Sequence, residues 1–454
     1  VTISAPSETG SAFLGTASGD FSPALMMEVE LTEPLPAIHG DPQHRRAWIL
    51  CRLGTEPVGT CIVPLSSDRL TPDQLGEQLW PNVQEAVNLR FMQAGLPVPS
   101  RLPGSGIEIE PSSWPYLLRR TEILSGAPFI SVVVCTRDRA ERLGNCLSYL
   151  DGQEYPRFEI VVVDNAPSSD ATRSVIDSRS DAGEDGRPAV PCRYVREQRA
   201  GLSWARNAGA AAATGDVIAF VDDDERPDRY WLAEIARGFG RSADVGCVSG
   251  MILPARLDTP FQEMFEVAGG HSKGRGFTAD IFSKDGSQSP LYPNPPFGAG
   301  GNMAFHREPL NRIRGFDVAM GAGTPTRGGE DSLALTLTLL CGYKIAYEPS
   351  AFVYHEHYQD LEGLGRQLHG YGIGLMSFYT ALLRHRPTVL LELLHLLPAA
   401  INHLKKPKAS SDALPWRLPD DLRRRYRKAL LSGVFAYPRS VRVQSKLKLP
   451  EQKK

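Results

Sequence analysis

Apolar residues fall along this chain as short unbroken runs that stop at polar clusters. Val217-Ile218-Ala219-Phe220-Val221 runs straight into Asp222-Asp223-Asp224. Ile130 to Cys135 stops at Thr136-Arg137-Asp138-Arg139, and Ile160 to Val163 stops at Asp164-Asn165. Runs of this kind predict strands buried on both faces, since half-exposed strands alternate apolar with polar. Between them, Ala140 to Leu150, a segment from about Asp170, and the Ala-rich stretch Gly201 to Ala213 carry helical patterns, with a short strand at Arg193–Arg196. Strands alternating with helices predict a parallel sheet with right-handed crossovers. Ligands of open α/β sheets bind outside the carboxyl ends of the strands. The three polar clusters are therefore predicted to share one sheet edge.

The flanking patterns differ. Arg46 to Leu53, then Gly54-Thr55-Glu56-Pro57, then Val58 to Val63 reads as a hairpin. Thr71-Pro72-Asp73-Gln74 reads as a helix start, with Thr as cap and Pro in the first turn, and the helix is expected to reach about Ala94 with a kink or break at Pro81. Phe297 to Phe305 is a Gly-rich turn leading into a strand, Ser332 to Leu340 a helix, and Ala351 to His357 the end of another strand. Between the triple acid and the Gly-rich turn the chain reads as long and irregular, its glycines around His271 suggesting a mobile loop. Leu361 to about Leu404 looks helical, with Gly370-Tyr371-Gly372 near a break. The expected organisation is a flexible start (1–25), a small α+β domain (26–100), a linker (101–128), an α/β domain (129–360) and a helical, basic C-terminal region (361–454).

Composition adds limits. Apolar content of 42% and charged content of 22% suit a globular chain. The net charge of −2 hides an asymmetry: residues 405–454 hold 15 Lys/Arg and 4 Asp/Glu, or +11, leaving −13 for the rest. A basic tail of this kind suggests peripheral contact with an anionic membrane surface; no nucleic-acid partner is expected. Seven scattered cysteines without metal-ligand spacing fit a reducing compartment. No signal-peptide pattern is visible at the start given, and Thr388 to Ala400 is too short and polar to span a bilayer. The expected location is cytoplasmic, peripheral on the inner face of the membrane.

Three adjacent carboxylates repel one another unless a cation sits among them. Hard divalent ions such as Mg²⁺ and Mn²⁺ take oxygen ligands, commonly carboxylates plus substrate phosphates. The acids after Val221 therefore point to a metal–diphosphate site.

At this level the chain resembles family 2 glycosyltransferases. The resemblance rests on Ser131 to Arg139, on Val161 to Asn165, on Gly201-Leu202-Ser203-Trp204-Ala205-Arg206-Asn207-Ala208-Gly209 and on Asp222-Asp223-Asp224, in that order and spacing. It covers roughly Phe129 to Tyr371 and is strengthened by Phe297 to Phe305 and by Arg327-Gly328-Gly329-Glu330-Asp331. It implies an α/β GT-A fold of the nucleotide-diphospho-sugar transferase, Rossmann-like kind. It also implies a nucleotide-sugar donor (UDP-, GDP- or dTDP-linked), a hydroxyl acceptor on a glycan, glycolipid or small molecule, and Mn²⁺ or Mg²⁺. By the same resemblance Asp331 is the expected general base, with Glu330 the alternative. Asp222, Asp224 and His355 are the expected metal ligands, with His357 the alternative histidine. Thr136, Arg137, Asp138, Asp164, Asn165, Arg206, Asp222, Asp223, Gly300 and Gly301 are expected to face the donor. Arg206 reads equally as a structural ion pair. Direct attack of the hydroxyl implies inversion at the anomeric carbon. Two rivals stand beside this reading: a nucleotidyltransferase, which lacks a Gly-rich, Lys-containing signature here, and a non-catalytic nucleotide-sugar sensor or scaffold.

Overall fold

The computed structural model describes residues 21–66, 69–179, 190–272, 274–287, 289–291, 297–405 and 419–447. The flexible start expected at 1–25 lies outside them as far as residue 20.

The small N-terminal unit is a three-stranded sheet. β1 (Ala24–Glu30) pairs in parallel with β2 (Arg46–Leu53), and β2 turns through Gly54-Thr55 into antiparallel β3 (Glu56–Pro64). α1 (Pro72–Gln93) packs on it, opened by the expected capping box of Thr71 and Gln74. Pro81 does not break α1. A proline deprives the carbonyl four residues earlier of its partner. Glu77 and Pro81 both lie on the exposed face, where water replaces it. The 101–128 stretch holds a helix, α2 (Pro115–Ser125), and Trp114 fills the small domain's core.

Then follow β4 (Ile130–Thr136), α3 (Ala140–Asp151), β5 (Phe158–Asn165), α4 (Ala171–Asp177), β6 (Cys192–Glu197), α5 (Leu202–Ala212), β7 (Val217–Asp222), β8 (Glu225–Pro227) and α6 (Trp231–Phe239). The sheet domain is completed by β9 (Val245–Pro254), α7 (Pro260–Val267), β10 (Asp280–Phe282), β11 (Asn302–His306), α8 (Arg307–Arg312), α9 (Glu330–Leu340) and β12 (Lys344–His355). α10 (Leu361–His385), α11 (Leu390–Lys405) and α12 (Asp420–Gln444) end the described chain.

The large sheet runs β10-β12-β9-β11-β7-β4-β5-β6, with β8 paired to β12. β7, β4, β5 and β6 are parallel, as the apolar runs predict, while β11 lies antiparallel between β7 and β9. Successive side chains alternate across the sheet. Val133, Val161, Val163, Ile218 and Phe220 enter one core, and Val132, Val134, Ile160, Val162 and Val221 the other. Burial of each such side chain contributes about 1.5–3 kcal/mol.

Two expectations change. The region between the triple acid and the Gly-rich turn is less irregular than expected. It contains the ten-residue β9 and then α7, whose capping box of Thr259 and Gln262 has the same Thr-Pro-x-Gln pattern as α1. α10 also runs unbroken through Gly370-Tyr371-Gly372. Gly372 serves close packing instead: a Cβ there would meet Ala429 Cβ at 2.8 Å and the Tyr426 carbonyl at 3.0 Å on α12.

The small domain docks through β2. Ala47, Ile49 and Cys51 point into its own core, while Trp48 and Leu50 join the core of the sheet domain. Arg46 pairs with Glu263 at 2.6 Å, Arg52 with Asp228 at 2.6 Å, and Arg120 with Glu234 at 2.8 Å. Such buried pairs set register, because removing one partner strands the other charge.

Candidate active site

Strand register brings the polar clusters together. Thr136 pairs with Asp164 and Cys135 with Asp222, so the tips of β4, β5 and β7 share one edge. The Thr136 hydroxyl donates to Asp223 Oδ2 at 2.6 Å. Asp164 is buried; the Tyr194 hydroxyl donates to its Oδ2 at 2.9 Å, while Oδ1 has no hydrogen-bond partner. A buried carboxylate oxygen left unpaired is a vacant acceptor. Burial raises the pKa of Asp164, against the Tyr194 hydrogen bond.

Beyond β7 the three acids diverge. Asp222 keeps 36% of its side chain open and accepts from Arg206 Nη2 at 3.3 Å. Its surroundings raise its pKa, Arg206 working against them. Asp223 is buried, and that burial pushes it up to about 6, with the Thr136 hydroxyl opposing and Asp224 adding to the rise. Asp224 meets Arg139 Nη1 at 3.3 Å, Arg142 Nη1 at 3.1 Å and, across the cleft, His355 Nε2 at 3.9 Å. Burial drops the His355 pKa well below its usual value, so the imidazole is neutral at pH 7. Glu225, directly after the triad, is buried, accepts the Asp222 N–H at 3.0 Å and is raised well above the carboxylate range by that burial.

Arg206 on α5 is 2% exposed. Its guanidinium donates to Glu330 Oε1 at 2.9 Å, to the Gly300 carbonyl at 2.9 Å and to Asp222, tying three elements together. Glu330, the first residue of α9, is buried; this raises its pKa in spite of Arg206, and its Oε2 has no hydrogen-bond partner. Asp331 is less buried and accepts the Gly300 N–H at 2.9 Å. Gly300 and Gly301 are required by close approach: a Cβ on Gly300 would meet Arg206 Nη2 at 2.8 Å, and one on Gly301 would meet Glu225 Oε1 at 2.1 Å.

The remaining predicted residues serve the loops. Both ends of the Asn165 amide are engaged by backbone, Nδ2 donating to the Arg199 carbonyl at 2.7 Å and Oδ1 accepting the Gly201 N–H at 2.9 Å. Asp138, in a left-handed turn with φ of 54°, accepts from the Ser168 N–H and hydroxyl, both at 2.8 Å. Arg137 is exposed on the same loop. Sequence reasoning missed Arg142 and left Arg139 without a role. Their spacing of three residues at the start of α3 was the available signal, since it places both on one helix face. His271 and Glu266 were also missed as neighbours of His355 and His357, because they stand more than 80 positions earlier.

Residues 131–314 match the family model "Glycosyl transferase family 2". Among relatives, the chain is 24% identical over 237 residues to the glucosyl-dolichyl phosphate glucuronosyltransferase of Haloferax volcanii, covering 51% of this chain and 70% of that protein. It is 30% identical over 236 residues to the succinoglycan biosynthesis protein ExoO of Rhizobium meliloti, covering 50% of this chain and 61% of that one. A mannosyltransferase from Pyrobaculum calidifontis, solved with GDP-Man and Mn²⁺, overlaps 74% of this chain and 83% of its own at 19% identity and a TM-score of 0.40, too loose a fit to bear on the site. Residues 131–314, spanning strands β4 to β11, thus match a glycosyl transferase family 2 domain, and the protein is a glycosyltransferase.

Proposed function

We propose that the chain is a divalent-metal-dependent, inverting enzyme that moves a sugar from a nucleotide-diphosphate donor to an acceptor hydroxyl. The observation that carries this reading is the approach of Asp224 Oδ1 to His355 Nε2, 3.9 Å apart on chain segments 131 positions distant. Two ligands of one ion, bonded at about 2.0–2.2 Å, stand at most about 4.4 Å apart, so the pair fits a shared cation. Asp222, Asp224 and the neutral His355 would hold Mn²⁺ or Mg²⁺; the mixed N/O set suits Mn²⁺ better. When bound, the ion neutralises charge on the leaving nucleotide diphosphate.

The protein's own groups do the rest. Arg139 and Arg142 stand beside Asp224 and offer positive charge to donor phosphates. Asp164 presents its unpaired Oδ1 to a ribose hydroxyl or base N–H. Asp331 takes the acceptor proton as the hydroxyl attacks the anomeric carbon from the face opposite the leaving group. Arg206 holds Glu330 and the Gly300 turn, and Gly300 N–H in turn orients Asp331.

The acceptor side is proposed beside the N-terminal end of α9, the end that carries Asp331. A groove of about 500 Å³ runs between α10 and α12 past Arg327, Ile373, Phe435 and Arg439. On α12 the exposed Leu431 and Phe435 follow an Arg-rich turn, Arg423 to Arg427. That pairing of exposed apolar and basic groups supports peripheral contact with an anionic membrane carrying a lipid-linked acceptor. The substrate printed in the Haloferax relative's name, a dolichyl phosphate, is consistent with such an acceptor. Among the described residues no helix is long and apolar enough to cross a membrane.

The test is a thermal-shift screen of UDP-, GDP- and dTDP-sugars with and without Mn²⁺. A ligand at a hundredfold its Kd stabilises by about 2.7 kcal/mol. One donor class is expected to raise the melting temperature only with the metal. Equal response of wild type and Asp224→Asn to every donor, with or without Mn²⁺, would overturn the assignment.

A further inference from the structure

A second concentration of ligating groups lies beside the acidic edge. His355 ends β12, His357 follows two residues later, and His271 lies just beyond α7; one ring nitrogen or more from each falls within 4.8 Å of the others. Ring centroids are 4.6 Å apart for His271 and His355, 5.2 Å for His355 and His357, and 5.6 Å for His271 and His357.

The geometry of the first pair is specific. Nδ1 of His355 and Nδ1 of His357 face each other at 3.1 Å. Two imidazole nitrogens bound to one tetrahedral zinc at about 2.0–2.1 Å stand about 3.3–3.4 Å apart. Each ring also has a carboxylate on its far side. His357 Nε2 meets Glu266 Oε1 at 2.6 Å, and His355 Nε2 meets Asp224 Oδ1 at 3.9 Å. Glu266 accepts the His357 Nε2–H and so leaves His357 Nδ1 with a lone pair, which is the arrangement of a carboxylate-backed histidine ligand, whereas Asp224 is too far from His355 for a hydrogen bond. Phe265 closes the group on one side, its ring 4.8 Å from His357 and 5.0 Å from His271.

We propose that His271, His355 and His357 form a binding site for Zn²⁺, with Glu266 orienting His357 and a fourth position left to water or an incoming ligand. The three-nitrogen set distinguishes this site from the acidic edge. Imidazole selects borderline transition ions, while carboxylates serve hard ones. The two sites meet at His355, which presents Nδ1 to the trio and Nε2 to Asp224. With one ring proton to place, His355 serves one ion at a time.

The test uses the metal-stripped full chain titrated with Co²⁺ as a spectroscopic probe and then with Zn²⁺. One equivalent of Co²⁺ is expected to give the intense visible bands of a tetrahedral site, and one equivalent of Zn²⁺ to remove them. His271 is only partly buried, so His271→Ala is the variant least costly to folding; it should weaken binding at least tenfold. Glu266→Gln, which keeps the shape and loses the charge, should weaken it about 10-fold or more. Asp224→Asn should keep the bands, even though it is the change that removes metal-dependent donor binding in the reading above, so the two assignments fail separately. Absence of tetrahedral bands, unchanged affinity in His271→Ala, or loss of the bands in Asp224→Asn would each overturn the trio. X-ray absorption of the Zn²⁺ form should count three imidazoles, and a shell of one imidazole plus oxygens would reject the site.

Discussion

Two acidic clusters, Asp222-Asp223-Asp224 at the end of β7 and Glu330-Asp331 at the start of α9, are built on different backbones and divided in the same way. In each, one carboxylate is tied to the buried Arg206, and the last member is turned elsewhere. The turn that follows β7 separates its acids, sending Asp223 to Thr136 and Asp224 toward Arg142 and His355. The helix separates its pair by rotation, placing Glu330 inside and Asp331 against the Gly300 N–H. Neighbours in sequence therefore stand in different surroundings: Glu330 and Asp222 are tied to Arg206, Asp223 is tied to Thr136, and Asp224 and Asp331 are turned elsewhere.

Substitutions that exchange these duties would break the comparison. The largest effect is expected for Asp331→Asn, with transfer falling about 10²–10⁴-fold while donor affinity stays the same. Steady-state kinetics with calorimetric donor titration would show it, and transfer within threefold of wild type would move the base elsewhere. Arg206→Met should come next. It strands Glu330 and Asp222, and urea or thermal melts should show a loss of about 3–5 kcal/mol. A melt like wild type would mean that Arg206 does not join the clusters. Asp224→Asn should remove the Mn²⁺-dependent part of nucleotide affinity, at least tenfold or about 1.4 kcal/mol, and leave the melt of the ligand-free chain nearly unchanged.

The smallest effect sharpens the comparison with an acid outside the cleft. Asp317 accepts from His385 at 2.8 Å and from the Tyr437 hydroxyl at 2.6 Å, joining α10 and α12 to the loop before α9. Burial works against ionisation there, but these hydrogen bonds hold the pKa below the ordinary 3.8. A depressed carboxylate pKa contributes stability above the unfolded value and loses it as pH falls through the folded one. Asp317→Asn should therefore cost about 1–2 kcal/mol at pH 7. The gap between wild type and variant should close below about pH 4. A pH-independent gap would assign the loss to packing instead.

Much of the fold was legible because buried strands and capped helices announce themselves locally. The runs before Thr136, Asp164 and Asp222 became β4, β5 and β7, and the Thr71 capping box opened α1 where expected. The same capping pattern at Thr259 went unread, which hid α7. Pro81 and Gly370-Tyr371-Gly372 misled for a shared reason. Whether a proline or glycine breaks a helix depends on whether solvent or a neighbouring helix stands beside it.

Sequence alone was enough to set the parallel strands, the edge where polar clusters gather and the family resemblance, since each depends on residues close together in the chain. Tertiary structure alone decided which acids Arg206 takes inside, that Asp224 faces His355, and that His271 and Glu266 join His357. Apart from the Arg206–Asp222 pair, those contacts close loops of many tens of residues, and no local pattern carries the distance between their ends.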